Sequence, residues 1–512
     1  MRRILPRILP ILFLLLVAAC TPQEPVLIYI TRTPQPDLGT PDATIGAIIE
    51  ATSASQATAA SQATLDMQST LANQATPTAL ATTENMPTSE SLPTTTSSQP
   101  DGEGPVVSAT PLPTRPGETG LSGAIIDESY TLPPTSTPRP TFTPEPQATI
   151  PTEEAVATLP FDVPYLDGRD MGVQLDWNVT EDEWYQWVQW VKPMNVTWVK
   201  IQVDWSFVQP EAPTGEPGVT FRRLELYIER LKRNDFKTIL SIAKAPGWAR
   251  PDGVNFDEDG APSDPQNYAN FISLLLQEMG ESIDAIEIWN EPNLAREWRG
   301  GLEFSGAGYM QLFGPAYDAI RAYSPNIEII TAGLAPTGIV PGETIPDRDY
   351  LQQMYAAGLG NYSDINIGIH PFSWNNPPDV NCCTNSGAGF DDQPQFFFLD
   401  NVEDLHEIMQ QNGHGDLTMW ATEFGWPTWD GLPDPPPYEW MGQNTALEQA
   451  EYAIRAFEIG QEREELGPMI LWNMNFANDV LIENRVELSA YSLFIPGVPI
   501  RPLYNALVSR PQ

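Results

Sequence analysis

Metal-binding side chains are scarce in this chain, whose 512 residues include three histidines and three cysteines. His370, His406 and His414 do not stand at the spacing of a metal site, so no metal and no cofactor is expected. A nucleotide-binding glycine loop is missing. So is Gly-x-Ser-x-Gly, which leaves a serine-type hydrolase without its nucleophile elbow. Basic charge is short too: 26 Lys and Arg stand against 67 Asp and Glu, a net charge of −41. That balance argues against a nucleic-acid partner and disfavours polyanionic glycans at long range.

Two further absences divide the chain. No lysine precedes Lys192 and no tryptophan precedes Trp177. From residue 21 to about 160 the composition is Thr, Ser, Ala, Pro and Gln with few aromatics. Such a stretch cannot bury enough apolar surface to offset chain entropy, so residues 21–161 are expected to be a disordered low-complexity linker. Gln recurs every six residues at Gln56, Gln62, Gln68 and Gln74, a period that keeps no single face of a 3.6-residue helix. Thr-Pro and Pro-x-Pro runs such as Thr143-Pro144-Glu145-Pro146 imply a stiff, extended spacer. One folded domain remains, residues 162–512.

The first 20 residues have a basic start (Arg2, Arg3, Arg7), an apolar run and then Cys20. The run is too short to span a bilayer and has the layout of a secretory signal. Leu16-Val17-Ala18-Ala19-Cys20 resembles the bacterial lipobox, which implies lipidation of Cys20 and a protein anchored to the outer face of the cell membrane. The competing reading is an ordinary signal peptide with a chance cysteine.

Within the domain, strand-like runs at 171–175, 197–203, 238–243, 285–289, 327–332, 364–369, 417–422 and 468–474 alternate with helical patterns. Eight such units, closed by a last helix at 503–508, make a (β/α)8 TIM barrel. Two of the strands run into glutamates. Ile286–Asn293 reads IEIWNEPN, and Pro292 stops its strand just after Glu291. Thr418–Trp426 reads TMWATEFGW and carries Glu423. The strand count places Glu291 on the fourth strand and Glu423 on the seventh, at the end of the barrel where such folds keep their chemistry. Two carboxyls on two strand ends are what glycosidic bond cleavage requires.

Asn290-Glu291-Pro292 and Thr422–Pro427 (TEFGWP) resemble the strand-4 and strand-7 signatures of clan A retaining glycoside hydrolases, of the family 39 and family 5 kind. The resemblance covers roughly residue 162 to the C-terminus. It implies Glu291 as acid/base, Glu423 as nucleophile and Asn290 on the sugar 2-hydroxyl. Repulsion between the carboxylates is expected to raise the pKa of Glu291, so that it keeps its proton.

His370 follows strand 6, where related enzymes place a group that bonds the nucleophile or a substrate hydroxyl; a core histidine bonded to backbone competes with that reading. Trp472 suits the apolar face of a pyranose. Trp205, Trp248, Trp374 and Trp426 also follow strands and either line subsites or fill the core. Lys244, Arg296 and Arg299 bind a carboxylated sugar or pair with the abundant acids. The long loops at 371–401 and 425–443 are expected to set substrate choice.

The expected function is a retaining β-glycosidase acting as a monomer on a carbohydrate substrate. A transglycosidase and a catalytically silent surface glycan-binding protein are the alternatives. Cys382 and Cys383 either form a vicinal disulfide facing the sugar or stay as two free thiols.

Overall fold

The computed structural model describes residues 159–511 apart from 214–215, 256–257 and 384–391. The expected signal sequence with Cys20 and nearly all of the expected linker lie outside the described residues.

Eight parallel strands form one sheet in the order β5-β4-β3-β2-β1-β8-β7-β6. They are β1 Met171–Gln174, β2 Trp198–Asp204, β3 Lys237–Ala243, β4 Ala285–Asn290, β5 Glu328–Gly333, β6 Ile367–Ile369, β7 Met419–Phe424 and β8 Leu466–Leu471. Parallel bridges Ile330 to Asn366 and Leu334 to Ile369 close the seam between β5 and β6. The fold is a TIM barrel. A helix follows each strand: α1 Glu181–Val191, α2 Val219–Arg233, α3 Pro265–Met279, α4 Gly306–Tyr323, α5 Asp347–Ala356, α6 Phe398–Gln411, α7 Ala446–Glu462 and α8 Pro502–Ser509.

Local chemistry sets these boundaries. Capping boxes start α1 (Thr180 with Glu183) and α7 (Thr445 with Glu448), each satisfying two otherwise unpaired groups. Asp264 caps α3 and Pro265 occupies its first position, where a missing N–H costs nothing. β4 and β7 are buried along their whole length, as strands sandwiched between a barrel interior and a ring of helices must be.

Several strand ends differ from the sequence expectation, and three of them bear on the site. β6 begins at Ile367 rather than 364, because the Asp364 carboxylate accepts hydrogen bonds from Tyr317 (2.7 Å) and Arg321 (2.5 Å) on α4. β8 ends at Leu471, so Trp472 belongs to the loop beyond it. β7 continues to Phe424, which puts Glu423 inside the strand.

The barrel interior has an apolar floor of Trp198, Ile239, Ala285, Ile330, Trp420 and Ile470. Side chains alternate across a strand, so the next inward positions on β2, β4 and β7 lie two residues on. Those positions are Lys200, Glu287 and Thr422, all fully buried. A polar layer therefore rests on the floor, and the two glutamates stand above it.

Candidate active site

Glu291 leaves β4 through a constrained turn. Trp289 and Glu291 have φ of 77° and 42°, a region that side chains larger than glycine rarely enter and that clusters at functional sites. The turn is pinned on both sides. Glu291 N–H donates to Gly333 O (3.1 Å), and Glu291 O accepts from Leu294 N–H (3.0 Å).

His370, fully buried just past β6, joins the two glutamates. Its Nδ1 lies 3.1 Å from Glu291 Oε1 and 3.9 Å from Glu423 Oε2. The nearest oxygens of the two carboxyls therefore stand no farther apart than the sum of those distances. On the outer side, Arg296 Nη2 reaches Glu291 Oε2 at 3.4 Å.

Beneath the pair, Lys200 Nζ sits 2.9 Å from Glu423 Oε1 and 2.8 Å from Glu287 Oε2. The other oxygen of Glu287 accepts from Gly333 N–H (3.0 Å) and Thr422 Oγ1 (2.5 Å). His370 Nε2 is 3.8 Å from that same oxygen. Lys200, His370 and Arg296 thus join three carboxylates, Glu287, Glu291 and Glu423, in one contiguous cluster.

The charges govern one another. Burial alone would lower the Lys200 ammonium, but Glu287 and Glu423 hold it above the ordinary lysine value. Burial would raise Glu287; Lys200, then His370, hold it far below the usual carboxylate range. Burial would lower His370, yet Glu423, Glu287 and Glu291 raise it to about 9. Burial would also raise Glu291, but His370 and then Arg296 pull it below its ordinary value. The expectation that carboxylate repulsion keeps Glu291 protonated is overturned for the free protein. Two cations touch that carboxyl, and they outweigh its like-charged neighbour.

The remaining candidates separate into site and core. Asn290 is buried beside Glu291, and its Oδ1 has no hydrogen-bond partner among the described residues. Trp472 is half-buried and packs edge-on against Phe372 (5.6 Å between ring centroids), which in turn meets His370 (6.2 Å). Trp374 is half-buried between Phe396 and Trp440.

Trp205 and Trp426 are core residues, at 0% and 1% exposure. Trp205 stacks on Phe271 and meets Trp248 and Tyr268; Trp426 meets Phe398, Phe424 and Tyr452. Neither has a free face for a sugar, because α3 covers one and α6 and α7 cover the other. Lys244 pairs with Asp259 (2.8 Å), and Arg299 pairs with Glu258 (2.9 Å) and Glu343 (2.5 Å).

Cys382 and Cys383 are joined by a disulfide, and Cys382 N–H donates to Asp400 Oδ2 (2.8 Å). Among the described residues no contact ties this bridge to the glutamates. Nor, among them, are three His, Cys, Asp or Glu side chains grouped to hold a metal ion.

This barrel is similar to solved glycoside hydrolases. A family 39 glycoside hydrolase from Bacteroides cellulosilyticus superposes with a TM-score of 0.50 at 20% identity, over 68% of this chain and 65% of that one. This chain thus spans less than two thirds of that protein. The GH53 catalytic domain of Ignisphaera aggregans gives 0.45 at 15% identity, covering 68% and 98%. Thermotoga maritima Cel5A gives 0.40 at 13%, covering 66% and 96%. The likeness is one of fold. No family model matches the chain, and no curated protein matches it.

Lys200, Glu287 and Thr422 are the site residues that the sequence reading missed. A signal was present. A lysine in WVKIQVD and a glutamate in AIEIWN are charges at inward positions of otherwise apolar strands, where unpaired charge is not tolerated.

Proposed function

We propose that this protein is a retaining β-glycosidase, cleaving β-glycosidic bonds of poly- or oligosaccharides by double displacement. The observation that carries the reading is the shared imidazole. One nitrogen of His370 lies 3.1 Å from a carboxylate of β4 and 3.9 Å from a carboxylate of β7. That arrangement keeps the nearest oxygens of the two carboxyls within 7.0 Å of each other, a range that includes the ~5–5.5 Å between carboxyls that covalent attack requires.

Glu423 attacks the anomeric carbon, and the bond to the leaving oxygen breaks as the bond to the glutamate oxygen forms. The leaving oxygen takes a proton from Glu291. In the free protein, that proton is held between Glu291 and His370 as a carboxylate–imidazolium pair. A sugar seated over the pair excludes water and penalises separated charge. The proton then passes to the carboxyl, and Glu291 becomes the general acid. In the second step a water attacks the glycosyl ester, gives its proton to Glu291 and releases Glu423. Asn290, whose side-chain oxygen has no hydrogen-bond partner among the described residues, bonds a sugar hydroxyl, and Trp472 offers a ring for the pyranose face.

The lipobox likeness at Cys20 extends the proposal to location: a lipid-anchored protein on the outer side of a bacterial membrane, its domain carried on the linker. Incorporation of a labelled fatty acid, lost on Cys20→Ala, tests that part. Proton NMR of the first-formed product from an aryl β-glycoside tests the reaction. The β-anomer is expected first, and an α-anomer contradicts double displacement.

A further inference from the structure

Of the three cations in the cluster, Arg296 is the one open to solvent. Its side chain is 33% exposed, whereas those of Lys200 and His370 are fully buried. Its hold on its partners is loose. Nη2 stands 3.4 Å from Glu291 Oε2 and Nε 3.5 Å from Glu297 Oε1, both at the outer limit of a hydrogen bond. Nη1 meets no partner among the described residues. We infer that Arg296 is a specificity-determining residue for the leaving group: its guanidinium passes from Glu291 to a carboxylate carried by the group that departs. The substrate class is then a glycoside whose leaving group is a single acidic unit, a uronic acid being the sugar of that kind. This rests on the double-displacement reading above.

The reaction itself fixes the side. Glu423 attacks the anomeric carbon and Glu291 serves the oxygen that leaves. The departing group therefore extends past Glu291, away from Glu423. Arg296 contacts Glu291 there and, among the described residues, forms no ion pair with Glu423. Its backbone is held in place. The N–H groups of Ala295 and Glu297 donate to Glu343 O (2.8 Å) and Leu294 O (3.0 Å), and the side chain of Trp298 is fully buried. Movement is left to the guanidinium.

Such an exchange also answers a difficulty in the acid step. With His370, Arg296 holds the Glu291 carboxyl below its ordinary value, and a carboxyl held ionised donates no proton. The carboxyls facing Arg296 are Glu291 and Glu297 on its own segment and Glu487 from the loop beyond β8; Lys244 of the β3 end faces Glu297. When the His370 imidazolium passes its proton to Glu291, Arg296 loses a counter-charge in a partly buried setting, at a cost. A carboxylate on the leaving group replaces that charge and takes Nη1 and Nη2 as a bidentate pair. One carboxylate suffices, and the acidic balance of the chain opposes longer polyanions.

The test compares two leaving groups on the full chain. Phenyl β-glycosides are set against their 3-carboxyphenyl counterparts, whose phenols are of nearly equal acidity, as glucosides, xylosides, galactosides and mannosides. The wild type is expected to favour the carboxylate by about tenfold or more in kcat/KM, with a gain in kcat as well as in KM. Arg296→Gln is expected to bring that ratio to about one, and Arg296→Lys to keep part of it. A ratio within one variant does not depend on how much of it is folded. Equal rates for the pair in the wild type, a preference that survives in Arg296→Gln, or one confined to KM overturns the inference. Failure of the underlying reading looks different: no pair is cleaved, the product forms with inverted configuration, or Glu423→Gln remains active.

Discussion

Gly333 and His370 leave no room for a side chain between them. A Cβ built on the glycine stands 2.1 Å from the imidazole Nε2 and 2.7 Å from Thr422 Oγ1. The absent side chain lets the histidine reach past the end of β5 to Glu291, and the Gly333 N–H fixes Glu287 at the same time. Gly333→Ala should therefore act on catalysis through His370. A fall in kcat/KM of at least about tenfold is expected. A crystal structure of the variant should show the imidazole rotated from Glu291. Wild-type kinetics would mean that the contact with His370 is dispensable.

The charge on His370 carries a stability signature. Its pKa is raised from 6.5 to about 9 by Glu423, Glu287 and Glu291 against the opposing effect of burial. A raised pKa contributes stability that is complete below the unfolded value and is lost as pH rises through the folded one. Melting temperature should therefore fall between pH ~6.5 and ~9, by an amount equivalent to about 3 kcal/mol at most. The fall should be shallower in His370→Gln. Melting curves recorded across that range decide the matter, and a flat profile in the wild type contradicts it.

Two tryptophans that look alike in sequence should respond differently. Trp205 is sealed by Phe271, Trp248 and Tyr268. Trp205→Ala should destabilise the protein by about 3–5 kcal/mol, as large core truncations do. Trp472 is half-buried above the site. Trp472→Ala should mainly raise KM with a small change in melting temperature. Urea unfolding and steady-state kinetics on both variants separate the two roles.

The Cys382–Cys383 bridge has its own direct check. Intact mass after alkylation without prior reduction should show neither cysteine modified. Modification of both would rule out the disulfide.

How far the sequence revealed this arrangement depends on the residue. The barrel was legible because parallel strands buried on both faces read as apolar runs, and eight of them alternate with helical periodicity. Glu291 and Glu423 were legible because each sits in a short motif at a strand end. Strand ends themselves were less so: Asp364 is drawn off β6 by Tyr317 and Arg321, far apart in sequence from it. The supporting charges Lys200 and Glu287 are 87 positions apart and meet only because β2 and β4 flank β3 and both turn these side chains into the barrel interior. Nothing local marks such a pair beyond a charge in an apolar strand. The exposure of Trp205 and Trp426 was beyond reach for a similar reason, since it depends on which helix lies over the ring.

The central claim is the division of labour between Glu423 and Glu291. Azide rescue on an aryl β-glycoside with an activated leaving group tests it most directly. Such a leaving group needs no general acid, so Glu291→Ala should still form the glycosyl intermediate and stall there. Added azide should restore turnover and yield a glycosyl azide of retained configuration. Glu423→Gln should stay inactive under the same conditions. Rescue of Glu423→Gln with retained configuration, and none of Glu291→Ala, would contradict the assignment.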